Sequence, residues 1–139
     1  MILVDTSVLS MAFRRKVKTV PEPALVLIFR RLVTEDQPVI VPGIVLQELL
    51  SGVRSAEEFE RLRDLMEGFP RAFATQESHV SAAKISNTCR QAGVIVSTVD
   101  CLIAAMTIEC KSQLLTGDDD FLMMAPHCGL QLFESPPAV

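Results

Sequence analysis

"TVDCLIAAMTIEC", residues 98–110, is apolar around nearly its whole circumference: Leu102, Ile103, Ala104, Ala105, Met106 and Ile108 together cover several faces of a helix. Such a helix is predicted to be central and buried. Shortly after it, "QLLTG" (113–117) reads as a short apolar strand, and comparable runs occur at "ILVD" (2–5), "PVIVP" (38–42), "RAFAT" (71–75) and "LQLFE" (130–134). Helical stretches at 24–33, 43–53, 56–69, 77–93 and 98–110 lie between them. Parallel strands need crossover helices, and a buried parallel sheet reads as short continuous apolar runs. The expectation is an α/β chain, a three-layer α/β/α sandwich around a mostly parallel sheet of about five strands.

With 139 residues the chain fits one domain, placed at 1–134, followed by a loose tail over 135–139. A hydrophobic content of 49% and a mean hydropathy of +0.34 exclude disorder. Every apolar run is broken by a charge or a proline well short of a membrane span, so no membrane association is expected. "MILVDTSVL" has no basic leading region and carries Asp5 within its apolar stretch, which makes it a poor export signal. Cys89, Cys101, Cys110 and Cys128 form no CxxC pair and sit among apolar neighbours. Buried, reduced thiols in a cytoplasmic protein are expected of them, and a zinc site is not.

The decisive residues are acids. Asp5 ends the first strand, Glu48 lies a turn into the helix after the second, Asp100 opens the buried helix, and Asp118 follows the strand that begins at Gln113. In an open parallel sheet the carboxyl ends of strands and the N-termini of the following helices share one edge, where ligands bind. The four acids are therefore expected to converge. On a helical wheel Glu48 falls beside Ile44 and Val45, away from the polar side, so it faces the border of the core. Each acid also has a local reading: Asp5 in a turn, Glu48 paired with an arginine, Asp100 in a capping box with Ser97, and Asp118, Asp119 and Asp120 in a solvated loop. Repulsion among converging carboxylates would raise their pKa values unless divalent cations occupy the middle. Oxygen ligation without thiolate or imidazole suits Mg²⁺ or Mn²⁺, whose usual work is on phosphates. Hydrolysis of a phosphodiester is the natural reaction.

"ILVDTSVLS", "VPGIVLQELLSGV", "GVIVSTVDCLIAAM" and "LLTGDDDFLMMA", in that order over almost the entire chain, resemble the four motifs of PIN-domain ribonucleases, in particular the VapC toxins of type II toxin–antitoxin pairs. The resemblance implies metal-binding and catalytic roles for Asp5, Glu48, Asp100 and Asp118, polar support from Thr6 or Ser7 and from Thr116, and Asp120 as a further metal-binding acid. The family separates the two acids of its last motif by one residue of another type, whereas here Asp119 fills the gap. Neighbours in a turn rarely converge, so Asp119 is expected to point away. The resemblance further implies an RNA substrate, transfer RNA included, a homodimer, and a cognate antitoxin that blocks the site in a hetero-oligomer.

A net charge of −4 is unusual for a partner of nucleic acid, but the cations are clustered: Arg14, Arg15, Lys16 and Lys18 form one run and Arg30 with Arg31 another. Arg14, Arg15 and Lys16, soon after Asp5, are candidates for guiding the RNA backbone. Two rival readings are an aspartate-nucleophile phosphatase, which needs a second acid where Ser7 stands, and a PIN-like module that binds RNA or a partner without cleaving.

Overall fold

The computed structural model describes residues 1–14 and 22–134, so Arg15, Lys16, Lys18 and the predicted tail at 135–139 lie outside the described residues. Strand β1 (Ile2–Val4) pairs in parallel with β2 (Val39–Pro42) on one side and with β4 (Gln113–Leu115) on the other. β3 (Arg71–Ala72) extends the sheet beyond β2, giving the all-parallel order β3-β2-β1-β4. Leu3 stands between Ile40 and Leu114 and is wholly buried, as a central strand covered on both faces requires.

The chain moves from β1 to β2 through α1 (Thr6–Phe13) and α2 (Ala24–Thr34), and from β2 to β3 through α3 (Gly43–Leu50) and α4 (Ala56–Met66). It then returns across the sheet to β4 through α5 (Gln76–Gln91) and α6 (Thr98–Glu109). Right-handed crossovers put α1 to α4 on one face and α5 and α6 on the other. The packing divides in the same way: α1 lies against α2 and α3, and α3 against α4, while α5 lies against α6 and α7 (Asp119–Cys128). Every residue of α6 from Cys101 to Thr107 is buried, and the Thr107 hydroxyl donates to the Ile103 carbonyl at 2.8 Å. This is the central helix that its composition predicts.

Two departures matter for the site. The predicted fifth strand at 130–134 is reduced to a single parallel bridge between Leu114 and Leu132, because only Leu114 exchanges backbone bonds with it, accepting from Phe133 and donating to Gln131. The described sheet therefore has four strands, not five. The expected order also lacks α1 and α7, and both are helices that begin at an aspartate. All four cysteines are free, with Cys89 and Cys101 buried. Burial raises the pKa of each thiol, which makes the thiolate form scarcer and the residue less reactive.

Candidate metal centre

Asp5 ends β1 and caps α1 at once. Its extended backbone closes the strand, while its Oδ1 accepts from the Val8 amide at 3.4 Å. The same oxygen accepts from the Ser7 hydroxyl at 2.6 Å, and Oδ2 accepts from the Thr116 hydroxyl at 2.7 Å. Only 3% of Asp5 is exposed. Burial pushes its pKa up, these three donors push it back down, and the Asp118 carboxylate adds a smaller upward push.

Ser7 and Thr116 also tie the two central strand ends together. Ser7 Oγ accepts from the Gly117 amide at 3.0 Å, and Thr116 Oγ1 accepts from the Asp118 amide at 3.0 Å. Position 117 is tight: a Cβ there would lie 2.7 Å from Leu25 Cδ2 and 3.3 Å from Met11 Cε. Glycine lets the β4 end approach α1 closely enough for these bonds.

Glu48 projects from α3 toward the same place. It pairs with no arginine among the described residues; the Thr6 hydroxyl in the first turn of α1 donates to its Oε1 at 2.6 Å. Asp100 sits in the first turn of α6, where its amide donates to Ser97 Oγ at 3.1 Å. That is one half of the predicted capping box.

The aspartate run is a helix start rather than a loop. Asp118 caps α7 by accepting from the Asp120 amide at 2.9 Å, and Asp119 and Asp120 form the first turn, where the helix dipole favours negative charge. This local device accounts for the crowding only in part, because Asp118 and Asp120 also face Asp100: one carboxylate oxygen from each of the three lies within 4.8 Å of the others. Asp119 is exposed and stands outside that group.

The cost of the convergence appears at Asp100. Its pKa is pushed up to about 6, mainly by burial, with repulsion from Asp118, Asp120 and Glu48 adding to it and the Ser97 hydroxyl opposing it. Desolvation therefore outweighs the repulsion that the sequence alone suggests. Three carboxylates that could meet on one ion, without thiolate or imidazole, fit a hard divalent cation of the Mg²⁺ or Mn²⁺ kind. Asp5 and Glu48 stand outside the group of three, yet Asp5 is electrostatically coupled to Asp118 and Glu48 to Asp100. A phosphatase with an aspartate nucleophile would need a proton-donating acid at position 7. Ser7 there is committed to holding Asp5.

Residues 2–125 match the family profile of the PIN domain. The chain belongs to the PIN domain family. Among solved structures, VapBC2 from Rickettsia felis bound to a DNA fragment from their promoter superposes with a TM-score of 0.75 at 19% identity, over 96% of this chain and 98% of that one. FitAcB from Neisseria gonorrhoeae gives 0.73 at 20% identity, over 96% and 97%. VapC20 from Mycobacterium tuberculosis, a sarcin–ricin loop cleaving toxin, gives 0.65 at 18% identity, over 88% and 93%. At these identities the likeness is one of fold. In this PIN domain the acids predicted from sequence all stand at the carboxyl edge of the sheet or on the helices that start there, together with Thr6, Ser7, Ser97 and Thr116. The predicted RNA guide Arg14 is exposed at the C-terminal end of α1, while Arg15 and Lys16 lie outside the described residues. Arg30 and Arg31 are neutralised on α2 by Glu22 at 2.8 Å and Glu35 at 3.1 Å. Sequence reading missed the capping roles of Asp5 and Asp118. The signal for both was present: an aspartate followed by residues able to start a helix.

Proposed function

We propose that this PIN domain is a metal-dependent endoribonuclease that hydrolyses phosphodiester bonds in RNA with Mg²⁺ or Mn²⁺ as cofactor. It acts as the toxin of a toxin–antitoxin pair, inhibits translation or growth in the cytoplasm, and is restrained by a cognate antitoxin in a hetero-oligomer built on a homodimer. The observation that carries this reading is the meeting of Asp100, Asp118 and Asp120 at the carboxyl edge of a PIN fold, with Asp5 and Glu48 beside them. The toxin–antitoxin half draws support from structural neighbours that are complexes of that kind, and the RNA half from a neighbour that cleaves the sarcin–ricin loop. Among the described residues no helix is long and apolar enough to cross a membrane.

A divalent cation held by Asp100, Asp118 and Asp120 would acidify a bound water and clamp the scissile phosphate. The chain's own part is positional. Ser7 and Thr116 lock the Asp5 carboxylate, Thr6 aims Glu48, and Ser97 and Asp118 anchor the helix starts that carry the other acids. Such preorganised charge is in place before substrate arrives.

The test is incubation of the purified, partner-free chain with an RNA pool that includes transfer RNAs, with Mg²⁺ or Mn²⁺ and with chelator, beside Asp100→Asn. The reading predicts discrete cleavage that needs both the metal and Asp100. Absence of cleavage by the folded chain under every metal condition would overturn it in favour of a binding module.

A further inference from the structure

Arg14, Arg54 and Arg61 line one open cleft of about 770 Å³, together with Gly52, Ser55 and Glu58. In a chain of net charge −4, three arginines there face one acid. Glu58 pairs with Arg61: Arg61 Nε donates to it at 2.8 Å, and Arg61 Nη2 also donates to the Phe13 carbonyl at 2.9 Å, joining α4 to the end of α1. The side chains of Arg14 and Arg54 are exposed and make no hydrogen bond or ion pair among the described residues. This contrasts with Arg30 and Arg31, each of which has its glutamate. The Ser55 hydroxyl accepts from the Glu58 amide, and among the described residues its own proton has no acceptor.

The cleft's position relates it to the acids. α1 is capped by Asp5 at its start and by Arg14 at its end, nine residues or roughly 13 Å further on. α3 carries Glu48 and ends at Leu50, just before the Gly52–Ser55 wall. Thus the two helices that bring Asp5 and Glu48 together also bring the unpaired arginines to one cleft, a few phosphates along a strand from the carboxylates.

We propose that this cleft is a phosphate subsite for a single RNA strand, in which Arg14 and Arg54 bind the backbone to one side of the scissile bond and Arg61, fixed by Glu58, shapes the wall. The subsite rests on the nuclease reading for its role in turnover, though not for binding. Guanidinium groups suit phosphate oxygens because they donate in a planar fork, and a backbone contact carries no base preference.

The experiment is binding of the full-length chain to 5′-labelled oligouridylates of four and twelve nucleotides in chelator, followed over a range of salt, for wild type, Arg14→Ala, Arg54→Ala, Arg54→Lys and Asp100→Asn. Each alanine variant should lower the slope of log affinity against log salt for the twelve-mer by about 0.7, the loss of one phosphate contact on a single strand. The loss should be smaller for the four-mer, and Arg54→Lys should keep the slope. Unchanged slopes in both alanine variants, with thermal midpoints like the wild type, would overturn the subsite and leave the nuclease reading standing. Lost slopes in the alanine variants, together with cleavage that persists for Asp100→Asn in the metal-containing RNA-pool assay above, would overturn the metal-site reading and leave the subsite standing. Absence of oligouridylate binding by wild type would overturn the subsite in favour of a protein-docking cleft.

Discussion

Asp5 and Asp100 face the same edge of one sheet, yet their surroundings are opposite. Asp5 is nearly sealed, and each of its oxygens accepts from a donor the fold provides: Ser7 and Val8 on one, Thr116 on the other. Asp100 is half-buried against Asp118, Asp120 and Glu48, with Ser97 as its counterweight. Asp5 is thus an acid whose burial the fold offsets in part from within, and it holds β1, α1 and the end of β4 together. Asp100 belongs to a group whose compensation must come from outside. The first kind of residue joins structure to function, while the second gives up stability for a ligand.

The largest effect should come from breaking the uncompensated side. Asp100→Asn is expected to reduce metal-dependent cleavage of RNA by about 100-fold or more, since even outer-shell partners of a metal commonly cost about 10–100-fold. A thermal melt of the same variant, free of metal at pH 8, should show a midpoint above that of wild type. Asparagine removes the buried charge without removing the shape.

Breaking the compensated side should instead cost stability. Asp5→Ala takes the cap from α1 and leaves the Ser7 and Thr116 hydroxyls without their acceptor. Loss of a cap costs about 1 kcal/mol and each orphaned polar group about 1–3 kcal/mol, so denaturant unfolding should read a loss of about 3 kcal/mol or more in addition to lost cleavage. Thr116→Val, which removes one donor to Asp5 and the acceptor of the Asp118 amide, should cost about 1–2 kcal/mol by the same measurement.

The pH dependence sharpens the comparison. The folded Asp100 has a pKa of about 6 against an ordinary 3.8, and that of Asp5 is also raised. Between these values the folded state binds more protons than the unfolded one, so stability falls as pH rises. Thermal midpoints of the metal-free chain should therefore drop from about pH 4 through about pH 6, and the drop should be shallower in Asp100→Asn. The smallest effect belongs to Asp119→Asn: with the side chain exposed and outside the group of three, cleavage and midpoint should match wild type within error.

Much of the fold was legible because the parallel strands are short, continuous apolar runs and α6 is apolar on every side. α1 and α7 were not. Asp5 serves as strand end and helix cap in a single residue, so nothing in "ILVDTSVLS" marks a gap between the two elements. In "GDDDFLMMAPHC" the acids resemble a loop and Pro126 resembles a stop, yet the proline falls in the closing part of α7, which ends before Gly129 in a left-handed conformation. The final strand failed for a different reason: "LQLFE" has the right alternation, but strand identity depends on a partner, and only Leu114 meets it. Within the candidate site, residue types and topology brought the acids to one edge. Which carboxylates meet within reach of one ion, and which is shielded by hydroxyls, depends on side-chain geometry that no spacing encodes.

The most direct measurement is a calorimetric titration of Mn²⁺ into the metal-free chain and into Asp100→Asn at pH 7.5, with thermal midpoints taken at each ratio. The account predicts saturable binding and a rising midpoint in wild type, with ligand at 100 times its Kd contributing about 2.7 kcal/mol, and both strongly reduced in the variant. A wild-type midpoint indifferent to the metal, or equal binding by the variant, would contradict the claim that Asp100, Asp118 and Asp120 are gathered to hold a cation.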